Sequence, residues 1–104
     1  MNNDYAKTVV ITGAASGLGR ALALAWAKRG WEIGITDINM EGAAETLELV
    51  RRAGGEGEVR ECDVREWDQV KATADHFFEK WHSVGMIALN AGVVDVGYVG
   101  EIKL

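Results

Sequence analysis

The feature that most constrains the fold of this chain is a glycine-rich segment, Thr12-Gly13-Ala14-Ala15-Ser16-Gly17-Leu18-Gly19. It follows the apolar run 8–11 and opens a helical pattern that begins at Leu18. Backbone N–H groups at a helix start have no intrahelical partners, and the helix dipole adds partial positive charge there. Glycines let the chain turn sharply and let an anion approach the backbone. The segment therefore predicts a strand, a turn and a helix that together hold the pyrophosphate of a dinucleotide.

Short apolar runs alternate with helical patterns along the chain. Strands are predicted at 7–12, 31–36, 58–62 and 84–89, the last one interrupted by a glycine; helices are predicted at 17–29, from the cap at 39 to 53, and at 67–81. Such a series implies a parallel sheet with right-handed crossovers. We therefore predict an α/β fold: half of a doubly wound Rossmann-type parallel sheet, strand order 3-2-1-4, with helices on both faces. We expect residues 1–104 to form a single NAD(P)-binding Rossmann half-domain, with 93–104 as an extended tail or edge strand.

Apolar spacing predicts which side of each helix faces the sheet. The first helix is expected to bury Leu18, Leu22, Ala25 and Trp26, and the second Ala43, Leu47 and Val50. In the third, the apolar side is traced by Trp67, Val70, Ala74, Phe77, Phe78 and Trp81.

Composition excludes several classes of function. The 104 residues carry a net charge of −5 and no basic run, which argues against nucleic-acid binding. The single cysteine, Cys62, allows no internal disulfide and indicates a reducing compartment. The N-terminus lacks the pattern of a signal peptide, and no apolar stretch is long enough to span a membrane. We therefore expect a cytoplasmic protein. His76 and His82 have no partners at metal-ligand spacing, so no metal site is predicted.

Polar residues follow three of the predicted strands. Asp37 closes the second strand, where a carboxylate can accept hydrogen bonds from ribose hydroxyls; capping a helix is its alternative role. Asp63 follows the third strand and could reach an adenine amine, although Asp63 and Glu66 also fit a helix capping box. Asn90-Ala91-Gly92 ends the fourth strand, where small residues would let the backbone approach the middle of a cofactor or simply form a turn.

These motifs resemble those of the short-chain dehydrogenase/reductase family. The threonine-glycine turn, the aspartate after the second strand, the pair Asp63-Val64 and the turn Asn90-Ala91-Gly92 all match, over residues 5–94. One departure is Leu89, where the family usually has a further asparagine. The resemblance implies a cofactor-binding site made of Gly13, Ser16, Gly17, Leu18, Gly19, Asp37, Ile38, Asp63, Val64, Asn90, Ala91 and Gly92.

The resemblance also bears on the choice between NAD and NADP. Members that prefer NADP carry a basic residue in the glycine turn or just after the second strand, whereas this chain has Ser16 and Asp37. A carboxylate repels a 2′-phosphate, so NAD is the predicted cofactor. Arg20 is close in sequence but is expected to face solvent.

The catalytic serine and the Tyr-x-x-x-Lys pair of this family lie beyond residue 104 in a complete member. Tyr5 and Tyr98 lack a lysine four residues later and do not replace that pair. The sequence thus predicts the cofactor-binding half of an NAD-dependent oxidoreductase, truncated before its catalytic residues, for which NAD binding is expected rather than turnover. No catalytic residue and no substrate are assigned. The alternative is a non-catalytic nucleotide-binding or self-assembling module.

The fourth strand presents an apolar edge at residues 86–89. An unpaired apolar edge invites pairing with another chain. We therefore expect a homo-oligomer formed through this edge, or the tail 93–104 folded along it.

Overall fold

A computed structural model describes residues 7–90 and 93–98 of the chain. Within these residues the strands are β1 (Thr8–Thr12), β2 (Glu32–Asp37), β3 (Glu56–Glu61), β4 (Gly85–Asn90) and β5 (Val93–Tyr98). The helices are α1 (Gly17–Ala27), α2 (Met40–Arg52) and α3 (Trp67–Trp81). None of these described helices is long and apolar enough to cross a membrane.

The strands form one sheet in the order β3-β2-β1-β4-β5. β1 pairs in parallel with β2 and with β4, and β2 pairs in parallel with β3. Helices connect the parallel strands, as a crossover between parallel neighbours requires. The predicted α/β class with a parallel, Rossmann-type half-sheet is confirmed.

The sheet has a fifth strand, β5, beyond the four strands that the apolar runs predict. It runs antiparallel to β4, from Asn90 opposite Val93 to Gly85 opposite Tyr98. The expectation that the edge of β4 is open is therefore wrong, and the position of β5 agrees with the alternative, in which the tail folds along this edge. Gly85 does not interrupt β4 but begins it.

One face of the sheet is covered by α1 and α2. Side chains alternate along a strand, so β1 sends Val9 and Ile11 to this face, and β2 sends Ile33 and Ile35. They pack against small residues of the helices, Ala23, Ala27 and Ala43, and against Val50. All of these side chains are buried, so among the described side chains this face holds the larger part of the core.

The opposite face is covered by α3. Val10 of β1 packs here with Phe77 and Val84, all of them buried. The ring of Phe77 stacks on Trp81 with centroids 4.8 Å apart. Gly34 of β2 leaves the space that this ring occupies, since a Cβ on Gly34 would lie 2.9 Å from the Phe77 ring.

The predicted inner side of α1 is only half right, because Leu22 and Trp26 pack against the core but Leu18 and Ala25 do not. The helix buries Gly19, Ala23 and Ala27 rather than Leu18 and Ala25, which are exposed. Small residues at every fourth position let the helix axis lie close to the sheet. The bulkier Leu22 and Trp26 are only partly buried and cover its flanks.

The predicted inner side of α3 is too wide. Trp67 and Phe78 are 55% and 45% exposed, while Thr73 and Phe77 are buried. The apolar residues of this helix span a broader arc than the strip that contacts the sheet. On α2, by contrast, Ala43 and Val50 are buried as predicted, and Leu47 is partly buried.

Candidate functional site

The glycine turn between β1 and α1 has a backbone shape that its glycines make possible. Gly13 and Gly17 have φ values of 67° and 59°, in the left-handed region that favours glycine. Gly19 lies against the turn so closely that a Cβ there would be 2.1 Å from the carbonyl oxygen of Gly13. The turn and the first turn of α1 are therefore in direct backbone contact.

The N-terminus of α1 presents backbone N–H donors that the helix itself leaves without an acceptor, beside this turn. Ser16 is the N-cap residue, with an extended backbone, and among the described residues its side chain makes no capping hydrogen bond. The N–H groups of Gly17, Leu18 and Gly19 lack a carbonyl within the helix to accept from them. Ser16, Gly17 and Leu18 are exposed, so an anion can reach the N–H groups of Gly17 and Leu18 from solvent, whereas Gly19 is buried.

Hydrogen bonds from β2 and α2 hold the turn in place. The Ala14 N–H donates to the carbonyl of Thr36 at 3.0 Å. The hydroxyl of buried Thr46 in α2 donates to the Ala14 carbonyl at 2.7 Å. The Ala15 N–H donates to Oδ2 of Asp37 at 2.9 Å. The turn is thus fixed by groups that are distant in sequence.

Arg20 does not face solvent as expected. Its Nε donates to the Thr46 hydroxyl at 2.8 Å, and its Nη2 donates to the Gly42 carbonyl at 3.0 Å and to Glu45 at 3.2 Å. The side chain is only 26% exposed. Because the guanidinium is bound to α2, Arg20 supports the turn through Thr46 and is not a free cation for a phosphate.

Asp37 lies at the carboxyl end of β2 beside the turn. Its Oδ2 accepts from Ala15 N–H, and its Oδ1 accepts from the N–H of Asn39 at 3.0 Å. A carboxylate offers about four acceptor positions. The two backbone bonds orient the group and leave each oxygen able to accept one more hydrogen bond. Helix capping is not its role, because Asn39 is the N-cap residue of α2 and accepts from Gly42 N–H.

A cavity of about 310 Å³ opens where β1, β2 and β3 end. It is lined by Gly13, Asp37, Ile38, Cys62, Asp63, Val64 and Arg65. Its wall combines apolar side chains with two carboxylates and one guanidinium. The sum of these side-chain charges is −1. The cavity therefore offers an apolar surface with acceptors for a polar, uncharged ligand group.

Asp63 is bound by a residue that sequence reasoning did not single out, Arg65. The Arg65 guanidinium donates from Nε to Oδ1 at 3.0 Å and from Nη2 to Oδ2 at 2.8 Å, and the Arg65 N–H donates to Oδ1 at 3.0 Å. These hydrogen bonds lower the pKa of Asp63 to about 2. The capping box is not formed, since the N-cap residue of α3 is Glu66.

The structure brings together five of the predicted site residues around the cavity: Gly13, Asp37, Ile38, Asp63 and Val64. Ser16, Gly17, Leu18 and Gly19 form the start of α1 at the same edge of the sheet. Asn90 ends β4 opposite Val93, and its side chain lies outside the described part of the structure, as do Ala91 and Gly92.

His76 forms a separate polar cluster between α3 and β3. Its Nε2 lies 2.7 Å from Oε2 of Glu58, and Lys80 donates to the other oxygen of Glu58 at 2.7 Å. Burial alone would raise the pKa of Glu58, but these two hydrogen bonds outweigh it and lower the pKa. Within the described residues, no group of His, Cys, Asp and Glu side chains could hold a metal ion.

Comparison with known proteins places this site in a family. The model of the short chain dehydrogenases matches residues 7–104. The chain belongs to the short-chain dehydrogenase family. One relative of this chain is the uncharacterized oxidoreductase YxbG of Bacillus subtilis. The two are 40% identical over 91 residues, which cover 88% of this chain and 33% of the relative. Another is a 3β-hydroxysteroid dehydrogenase of Mediterraneibacter gnavus, 39% identical over 85% of this chain and 32% of the relative.

Solved structures of short-chain dehydrogenases share the fold. A family member from Burkholderia phymatum in complex with NAD is 37% identical, with a TM-score of 0.71 over 81% of this chain and 30% of that one. An NAD⁺-bound xylitol dehydrogenase is 29% identical, with a TM-score of 0.72 over 80% of this chain and 32% of that one. This chain spans about a third of the length of the curated relatives that it matches.

Proposed function

We propose that this chain binds NAD in preference to NADP, as the cofactor-binding part of an NAD-dependent oxidoreductase. The observation that carries the proposal is the Asp37 carboxylate, which is oriented by Ala15 N–H and Asn39 N–H and keeps one acceptor position on each oxygen. The two neighbouring hydroxyls of a ribose could each donate to one of these two acceptor positions. The NAD complexes of similar solved structures support the same assignment.

The residues of the site fit the parts of a dinucleotide. The pyrophosphate would lie at the start of α1, where glycine contacts leave no room for a side chain at Gly19. The adenosine ribose would lie at Asp37, and the adenine in the cavity beside Ile38 and Val64 with its amine directed to Asp63. Asn90, Ala91 and Gly92 would approach the middle of the cofactor. When bound, the nicotinamide supplies hydride transfer.

The charges around the cavity favour NAD. Asp37 carries a negative charge, and the only cation among the seven residues lining the cavity, Arg65, is already paired with Asp63. A 2′-phosphate would add about −1.5 to −2 charges near Asp37 with no free partner there. Arg20, the nearest arginine in sequence to the turn, is bound to α2. NADP would therefore bind more weakly.

Replacing Asp37 with alanine should weaken NAD binding by about tenfold or more, because two hydrogen bonds to a charged acceptor are lost. NADP should lose less, since the same change removes a repulsion. Isothermal titration calorimetry with both dinucleotides measures this. Asp75→Ala is the control, because it removes an exposed carboxylate of α3 that is paired with Lys71, outside the site.

Two results would contradict the proposal. If Asp37→Ala loses affinity for NAD and NADP equally, Asp37 does not discriminate between the two cofactors. A folded wild-type chain that gives no heat with either dinucleotide would show that it has the family fold without the ligand. Circular dichroism before titration establishes that each variant is folded.

We further propose that the chain self-associates through the edge of its sheet. Because β5 covers β4, the edge available on this side is the outer one of β5, which pairs with no other strand among the described residues. Sedimentation equilibrium at micromolar concentrations should then give a mass above 11.3 kDa, with amide exchange in residues 93–98 slowing as the concentration rises. A monomer whose exchange is independent of concentration would contradict this.

A further inference from the structure

Arg65 is the one charged residue of the cavity for which the proposed function has no use. It binds Asp63 with a planar fork, Nε to Oδ1 and Nη2 to Oδ2, and adds its own backbone N–H to Oδ1. A bidentate guanidinium fixes the plane of a carboxylate as well as its position. The Asp63 side chain is only 20% exposed, whereas that of Arg65 is 73% exposed. The arginine thus holds the carboxylate from the solvent side.

The hydrogen bonds leave Asp63 with little remaining capacity. Three of about four acceptor positions on its carboxylate are filled, two on Oδ1 and one on Oδ2. One acceptor position therefore remains, on Oδ2. The Asp63 backbone is held too, because its N–H donates to Oε1 of Gln69 in α3 at 2.8 Å.

A fixed, ionised carboxylate with one acceptor position discriminates between purines. The 6-amino group of adenine can donate to Oδ2. The 6-oxo group of hypoxanthine presents a partial negative charge to the same oxygen. A carboxylate free to rotate about its terminal torsion relieves that repulsion, because this torsion is broad. A carboxylate locked by a guanidinium cannot rotate to relieve the repulsion. Its rigidity therefore favours the 6-amino purine over the 6-oxo purine.

We propose that Arg65 is a positioning residue that locks Asp63 and so makes this cavity select a 6-amino purine over a 6-oxo purine. The inference rests on the proposed dinucleotide function. It assigns to Arg65 an effect on the ratio of two affinities, not on overall binding. An exposed ion pair without this role contributes little to stability and would leave that ratio unchanged.

The experiment compares NAD with its hypoxanthine analogue, in which the 6-amino group is replaced by a 6-oxo group. Binding of both to the 104-residue chain is measured by calorimetry for wild type, Arg65→Gln and Arg65→Lys. We expect wild type to prefer NAD by about tenfold and Arg65→Gln by about threefold or less, in the range of one hydrogen bond. Arg65→Lys keeps the charge without the fork and should lie between them.

Lys71→Gln provides the matched control. Lys71 pairs with Asp75 at 2.8 Å, and both side chains are more than 60% exposed, so this change also removes an ion pair from the surface. The control should keep the wild-type ratio. Thermal melts should show all variants folded, because none of the substituted side chains is buried.

The possible failures are distinguishable. If Arg65→Gln keeps the wild-type ratio, the locking role is wrong while the dinucleotide site stands. If wild type binds both dinucleotides equally, Asp63 does not recognise the base, and the inference is wrong although the site again stands. If folded wild type binds neither, the proposed function itself fails, and the inference with it.

Discussion

Replacing Gly19 with alanine is expected to destabilise the fold by about 3 kcal/mol, at the upper end of overpacking effects, and to abolish dinucleotide binding. The added Cβ would lie 2.1 Å from the Gly13 oxygen, 2.7 Å from the Gly13 carbon and 3.0 Å from Ala14 Cα. All three are backbone atoms, so no side chain can rotate away to make room. The glycine turn must separate from α1, which displaces the donors that would hold the pyrophosphate.

Urea denaturation of Gly19→Ala measures the loss of unfolding free energy, and calorimetry measures the loss of binding. Gly85→Ala is the matched control. Among the described atoms, its Cβ would meet the Thr8 oxygen at 3.5 Å, an ordinary contact, and the φ of Gly85 is outside the left-handed region. Equal stability of the two variants would refute the close contact between the turn and α1.

Replacing Phe77 with alanine is expected to cost about 3–5 kcal/mol of unfolding free energy, as for other fully buried phenylalanines. Phe77 is the largest fully buried side chain among the residues whose burial is described, and it fills the space above Gly34, between Val10 and Trp81. Its removal leaves a cavity that β2 cannot close, because a glycine has no side chain to rearrange.

The neighbouring Phe78 is the control for this change. It is 45% exposed on the same helix, and Phe78→Ala should cost about 1 kcal/mol or less. Chemical denaturation of both variants should therefore give clearly separated midpoints. If the two substitutions destabilise equally, the description of how α3 faces the sheet is wrong.

The fold was predictable because its signals are local. The apolar runs, the glycine turn and Asn39 at the start of α2 each act within a few residues. The inner faces of α1 and α3 were less predictable. Periodicity identifies an apolar side, but on α1 the close approach to the sheet favours Gly19, Ala23 and Ala27 over larger neighbours. The sequence analysis offered a tail folded along the fourth strand as one alternative, but the antiparallel direction of β5 had no such signal, because a parallel series does not predict an antiparallel edge strand.

The candidate site was predictable where it depends on strand ends. Asp37 and Asp63 follow neighbouring parallel strands, which end at one edge of the sheet, and both line the cavity. The supporting residues were not predictable, because their partners are distant in sequence. Arg20 and Thr46 are 26 positions apart, and their hydrogen bond depends on how α1 packs on α2.

The bond between Ala15 N–H and Asp37 has a thermodynamic consequence for ligands. This hydrogen bond connects two proposed subsites: the turn, which would bind the pyrophosphate, and the Asp37 carboxylate, which would bind the ribose. A ligand that draws Asp37 toward its hydroxyls also acts on the turn. The affinities of an adenosine fragment and a pyrophosphate fragment should therefore not sum to that of the whole molecule; the difference is the coupling free energy between the subsites.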